Sequence, residues 1–261
     1  MLRLFARTPE VSERREVALP LDDGSTLVVS VQRHPRARRI KLSVDERGAR
    51  LTLPTRASER AALAFLDEHR GWLQRQWQAM REDSAPPLVV AATDSLPLRG
   101  ETIALTWQAG RTTRVVRAPN ALCIEVRGLD ALSGQPATPA VHRALRDFYE
   151  AEARADIARW LPKYVHGLPK PVARITLKRM SSQWGSLSPT GAMALDLALV
   201  LARTSAFEYV LVHELCHLIH HDHSRPFWRE VERRCPDWRD ERDYFQAEGR
   251  RLKAAIRMLC G

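Results

Sequence analysis

Residues 205–228 read SAFEYVLVHELCHLIHHDHSRPFW, and the reactive side chains of the chain are concentrated there. His213 and His217 are four residues apart. On a helix that spacing sets both imidazoles on one face, one turn apart, within reach of a single cation. Zinc accepts imidazole nitrogens at ~2.0–2.1 Å, and a catalytic zinc has three protein ligands and one open position. Glu214 neighbours the first histidine without ligating, so it can take the proton of the water that such a metal activates. With 9 His and 17 Glu in 261 residues, this H-E-x-x-H spacing arises by chance roughly 0.02 times per chain. Unpaired imidazoles and a carboxylate would also be costly on an otherwise apolar helix.

The third ligand must come from beyond the helix. Were the helix to continue, His221 would lie about 12 Å along the axis from His213, too far to share a metal. His220 is displaced along the axis in the same way. His223 sits past the point where the chain must turn and can fold back. Ser224 then caps a new helix, with Pro226 early and Phe227, Trp228 and Val231 on its apolar side. Spacing alone leaves His220, His221, Glu230, Glu232, Glu241 and Glu248 as rivals, with His223 favoured. The set His213, His217 and His223 with Glu214 as base implies one Zn2+ per chain and a zinc-dependent hydrolase. No oxyanion-stabilising residue can be assigned.

These side chains need a frame. Ser205 and Glu208 have the spacing of a capping box, and Phe207, Val210, Leu211, Leu215 and Leu218 form an apolar stripe. Upstream, residues 172–201 read as a β-hairpin with strands at 173–178 and 193–200 and a turn at 188–191. Its edge could take an extended peptide. Trp184, just before the turn, reads first as a core residue and second as a cleft wall. Thr138 and Pro139 open a helix expected to end near Leu161 before Pro162, with Val141, Leu145, Phe148, Ala155 and Trp160 inward. Residues 15–55 read as strands (27–31, 38–44, 50–53) with a turn at Asp22-Asp23-Gly24. Ser58 caps a helix over about 58–81 that turns Leu63, Leu66, Leu73 and Trp77 to one side, and residues 88–129 return to strands at 103–107, 114–117 and 122–126. The fold class is α+β: a β-rich N-terminal region over 1–132, a boundary loop at 133–139, and a zincin-like catalytic domain over 138–261 with the hairpin and the H-E-x-x-H helix. No internal repeat is visible.

Bulk properties narrow the partners. Net charge is +10, but 36 of the 41 basic residues are Arg, which reads as compositional bias. The densest run, RHPRARRIK at 33–41, leads into the alternation of Ile40, Leu42 and Val44 expected of a half-buried strand. Nucleic acid is therefore a possible partner and not the favoured one; the favoured partner is a peptide or nucleotide substrate. Cys123, Cys216, Cys235 and Cys260 form no C-x-x-C pair, which argues against a thiolate zinc site and a disulfide framework. Residues 1–10 lack the apolar core of an export signal, and the apolar run at 192–202 is too short to span a bilayer. A cytoplasmic location without membrane contact is expected.

The run Trp184-Gly-Ser, the segment F-E-Y-V-L-V-H-E-L-C-H-L and the segment H-S-R-P-F-W closely resemble the YgjP-like metallopeptidase family, relatives of the SprT-like zincins. The N-terminal stretches RARRIKLSV, LTLPTRASE and LPLRGETIAL resemble it too, so the likeness covers nearly the whole chain. Three positions depart from the family pattern: Gln183 stands for an Arg, Leu187 for a Cys and Asp196 for an Asn. The resemblance implies metal ligation by His213, His217 and His223 and a general base at Glu214. It implies a metallopeptidase first. It also implies a metal-dependent UTP pyrophosphohydrolase as an alternative, since some YgjP-like proteins are assigned that activity. A DNA-associated protease of SprT type is a third reading, supported by the charge but by no recognisable zinc ribbon. Metzincins share the spacing to the third histidine but carry Gly where this chain has His220, and their Met turn is absent. A non-enzymatic binding module would have no use for Glu214.

Overall fold

A computed structural model describes residues 12–22, 24–45, 48–82 and 86–261. Residues 1–10, read above for an export signal, and Asp23 of the expected turn lie outside the described residues. The chain divides into two compact units, Met1–Ser84 and Ala85–Gly261.

In the first unit, strands β1 (Ser12–Pro20), β2 (Thr26–Arg33), β3 (Lys41–Asp45) and β4 (Gly48–Leu53) form one sheet in the order β1-β2-β4-β3. Leu27 and Val29 of β2 and Ala49, Leu51 and Leu53 of β4 alternate inward, which fixes the register because a one-residue slip would expose them all. Helices α1 (Glu59–Glu68) and α2 (Arg70–Glu82) bury Ala62, Leu66 and Leu73 in the same core. Ser58 caps α1 as expected, accepting from Ala61 N–H at 3.1 Å. The expected single helix is broken at His69, whose ring stacks on Phe65 at 4.0 Å and whose Nδ1 meets the Phe65 carbonyl at 3.0 Å. Leu63 stays 47% exposed, outside the stripe expected for it. Part of the basic run is structural: the Arg33 guanidinium donates to the carbonyls of Pro54, Thr55 and Ala57.

The second unit opens with β5 (Ser95–Leu98), β6 (Glu101–Ala109), β7 (Arg114–Arg117) and β8 (Ala121–Val126), in the order β5-β6-β8-β7. Both four-stranded sheets share one wiring, an antiparallel pair, a parallel pair and an antiparallel pair. This repeat lies in strand pairing, which different apolar residues satisfy provided alternation is kept, so the sequence does not display it. A short α3 (Leu129–Leu132) leads to α4 (Pro139–Tyr164). Thr138 accepts from Val141 N–H and Pro139 opens the helix, as expected. Pro162 lies inside the last turn and does not end it; its missing N–H forgoes a single bond close to the helix end. Ala155 faces solvent, while Ala153, Asp156 and Ile157 are buried.

The division of the chain falls at 84/85 and not in the loop at 133–139. That loop is tied to the start of the second unit: Val90 N–H donates to the Gln135 carbonyl, Gly134 N–H to Val90 and Ala137 N–H to Leu88, each at 2.9 Å. Leu96, Leu122 and Ile124 of the sheet also share one buried cluster with Leu145, Leu211 and Phe227. A linker is crossed by few contacts, and this loop is not one.

The remaining elements are β9 (Arg174–Lys178), β10 (Gly185–Leu187), β11 (Ala192–Asp196), a 3-10 turn at Leu197–Leu201, and helices α5 (Thr204–Cys216), α6 (Arg225–Arg234) and α7 (Trp238–Cys260). The turn at 188–191 joins β10 to β11, so the hairpin is β10–β11; β9 instead pairs with β11 in parallel on its other side. β11 stops at Asp196 because that carboxylate caps the 3-10 turn, accepting from Ala198 N–H at 2.9 Å. Among the described residues no helix is long and apolar enough to cross a membrane.

Candidate metal centre

Helix α5 is buried on nearly every side, with Ala206, Phe207, Val210, Leu211, Val212 and Leu215 all in the core. A helix apolar all round belongs inside a fold, and it carries His213 and Glu214 inward with it. It starts where expected but without the expected capping box. Arg203 precedes it and no side chain caps it. Glu208 accepts instead from Tyr164 OH at 2.8 Å and Lys163 Nζ at 3.1 Å, so the end of α4 takes the carboxylate that was to reach back.

The last turn of α5 tightens. Leu218 N–H donates to Leu215 and Ile219 N–H to Cys216, both at 3.0 Å, in the i to i+3 pattern of a 3-10 end. The chain then reverses, and the His220 carbonyl lies 3.1 Å from His217 Nδ1, orienting that ring and leaving its Nε2 available. Asp222 accepts from Ser224 N–H at 3.2 Å, which starts α6. His223 returns over α5 until its Nε2 is 3.1 Å from His213 Nε2. One nitrogen from each of His213, His217 and His223 lies within 4.8 Å of the others. Ligand nitrogens on a tetrahedral zinc at ~2.0–2.1 Å would be about 3.3 Å apart.

The donor set fits a zinc-class ion. His213 Nδ1 is buried without a hydrogen-bond partner, so the polar outlet of that ring is Nε2, toward the other two imidazoles. Burial, then His217 and His223, push His213 down to about 3, and burial also lowers His217. Both are thus neutral at physiological pH, the state in which imidazole ligates. Among the rivals, His220 contributes only its carbonyl, and His221 lines the cleft outside the cluster. Glu230 pairs with Arg233 and Arg234, Glu232 with Arg239, Glu241 with Arg203 and Glu248 with Arg251, which commits each of those carboxylates elsewhere.

Sequence reasoning missed what holds the three rings. Phe227, fully buried, stacks on His217 at 4.5 Å and meets His223 at 4.9 Å and His213 at 5.0 Å. Trp228 adds a tilted contact to His223 at 5.8 Å and stacks on Trp238 at 4.3 Å. The signal in H-S-R-P-F-W was the aromatic pair four and five residues past His223, which puts Phe227 on the inward face of α6.

Glu214 is 5% exposed, and burial raises its carboxyl to about 7. Its side chain lies against Gly185 of β10, where a Cβ would meet Glu214 Oε1 at 2.5 Å. A glycine inside a strand often marks such a close approach, and that signal was present in W-G-S. Beside it, Trp184 packs on Phe245 at 4.4 Å and against Gly249, where a Cβ would lie 2.9 Å from its Cζ2. Lys253 Nζ sits 4.5 Å over the indole and donates to the carbonyls of Met180 and Gln183 and to Asp196. Trp184 is thus both packed and a cleft wall.

The cleft holds about 570 Å³ and is lined by His213, Glu214, His217, His223, Tyr209, the strand β10, Phe245 and Arg242 among others. No curated protein matches this chain. Among solved structures, the crystal structure of the metallopeptidase zymogen of Pyrococcus abyssi abylysin is similar to it at 23% identity and a TM-score of 0.30, covering 38% of this chain and 93% of that one. The YgjP-like, metallopeptidase domain family matches residues 38–248, which include β10, Glu214 and all three histidines. With most of its length so matched, the chain belongs to the YgjP-like metallopeptidase family.

Proposed function

We propose that the chain is a zinc-dependent peptidase in which His213, His217 and His223 hold the ion and Glu214 is the general base. One observation carries the reading: three imidazoles converge beside a buried carboxyl whose pKa is raised to about 7. A zinc ion bound there supplies a Lewis acid that polarises a carbonyl and lowers the pKa of water toward about 7. Glu214 takes the proton of the attacking water and returns it to the departing amine, and a base works best when its pKa is near the working pH. The strand β10 pairs with β11 on one side and forms the edge of its sheet on the other. An extended peptide can add to that edge through main-chain hydrogen bonds, beside Glu214.

The alternative substrate, a nucleoside triphosphate such as UTP, brings several negative charges. Tight phosphate recognition uses several charge-assisted donors, and Arg242 is the one Arg or Lys among the described residues lining the cleft. The cleft therefore favours a peptide. A DNA-associated role rests on the net charge of +10 alone, and 36 of the 41 basic residues are Arg, as compositional bias would give.

The test is Glu214→Gln in protein loaded with zinc. The variant keeps about one zinc per chain, and peptide hydrolysis falls about 10²–10⁴-fold. Full peptidase activity in the variant overturns the assignment of the base. A triphosphatase activity that Glu214→Gln and His217→Ala both abolish, in a protein inert to peptides, moves the UTP reading to first place.

A further inference from the structure

Among the described residues Arg242 is a cation with no bonded counterpart. Its neighbours three and four residues away on α7 are Trp238, Arg239, Phe245 and Gln246, so no carboxylate lies one turn from it. Of the two carboxylates flanking it in the chain, Glu241 is taken by Arg203 at 2.8 Å and Asp243 is exposed. The other cations around the site are committed as well, Arg233 and Arg234 to Glu230, Arg239 to Glu232 and Lys253 to Asp196. Arg242 has no hydrogen bond or ion pair among the described residues, and its side chain lines the cleft together with Phe245 one turn on.

The rest of the wall carries no second cation: Trp184, Leu187, Pro189 and Val210 are apolar, three imidazoles belong to the cluster, and Gln183, Ser186 and Tyr209 are polar but uncharged. Its one carboxyl, Glu214, lies against Gly185. A guanidinium offers five donors in a planar fork that matches a carboxylate. Arg242 is itself exposed where it lines the cleft, so such a pair stays partly hydrated and acts through its geometry and sign of charge.

We propose that Arg242 selects peptides that present a carboxylate to the cleft, from an acidic side chain near the scissile bond or from a free C-terminus. The inference rests on the peptidase reading and names its substrate class. The test uses the full-length zinc-loaded protein and internally quenched peptides matched in pairs: Glu against Gln, Glu against Lys, and free against amidated C-terminus. In the wild type, kcat/KM for the carboxylate-bearing member of a pair exceeds that of its neutral partner by about 2–5-fold. In Arg242→Gln that ratio falls to near one. In Arg242→Glu the Glu-against-Lys preference reverses. A purely structural role for Arg242 would lower all members of a pair together and leave the ratios alone. The pair that responds identifies the source of the carboxylate. Hydrolysis with ratios that ignore both substitutions overturns the inference and leaves the peptidase reading standing. Failure of the wild type to cleave any peptide while it hydrolyses a triphosphate overturns both.

Discussion

Gly185 and Glu214 are in contact so close that a Cβ at position 185 would lie 2.5 Å from Glu214 Oε1 and 2.6 Å from its Cγ. Residue 185 thereby sets where the carboxyl can stand. Gly185→Ala must push either the edge strand or the carboxyl aside, and misplacing a catalytic group by about 1 Å costs about 10²-fold in rate. Turnover should fall by that order while zinc stoichiometry stays at the wild-type value. Elemental analysis alongside a peptidase assay checks this; wild-type turnover in Gly185→Ala would remove the steric argument.

His223 and His221 differ in what they should do for the metal. Loss of an outer-shell partner weakens metal affinity about 10–100-fold, and loss of a ligand should exceed that. His223→Ala is expected to lose more than about 100-fold in zinc affinity, and His221→Ala to remain close to wild type. Competition with a chelator of known affinity measures both. The opposite ranking would mean that the reversal after α5 is wrongly drawn.

Phe227 supports all three imidazoles and is fully buried. Phe227→Ala should cost about 3–5 kcal/mol in urea unfolding. It should also weaken zinc binding, because the rings lose the surface that orients them. Phe227→Leu fills most of the volume and should recover much of the stability, with less recovery of affinity. Equal recovery of both would reduce Phe227 to a filler of space.

Metal-free protein should carry a pH signature from Glu214. Burial raises its carboxyl from an ordinary 4.5 to about 7, so the folded chain holds this proton more tightly than the unfolded chain. The contribution is fully present below about pH 4.5 and is lost as pH rises through about 7, amounting to about 3 kcal/mol. Glu214→Gln has no such titration. Urea unfolding of the two chelated proteins at pH 5 and pH 8 should therefore show the variant gaining on the wild type by up to that amount at the higher pH. Every other group is common to both proteins, so the difference isolates position 214. Parallel pH profiles would contradict the raised pKa.

The metal cluster was legible because its signal is short-range. Helix geometry alone puts His213 and His217 on one face, and it favours His223 as their partner without excluding its rivals. The α+β class and most strands were legible from alternation, as with Leu27, Val29, Leu51 and Leu53. What failed depended on partners far along the chain. Glu208 looked like half of a capping box until Tyr164 and Lys163 claimed it. The strand at 174–178 looked like the mate of the turn at 188–191, but parallel pairing leaves no turn signal to read. The loop at 133–139 had the composition of a linker, and only its hydrogen bonds to Leu88 and Val90 show otherwise. Arg242 was invisible for a related reason: the lack of a counter-ion is a property of everything packed around it.

The outer two of the three histidines, His213 and His223, are only ten residues apart in the chain. A cross-link that closes so short a loop removes little chain entropy from the unfolded state and restrains only the segment it spans. An ion held there is a clasp between the end of α5 and the start of α6, and not a staple for the whole fold. Stripping it should leave amide hydrogen exchange in α4 and in the sheet β5–β8 nearly unchanged, and speed exchange over residues 217–228. Gain or loss of an ion at such a clasp would thereby be separated from the chain's capacity to stay folded.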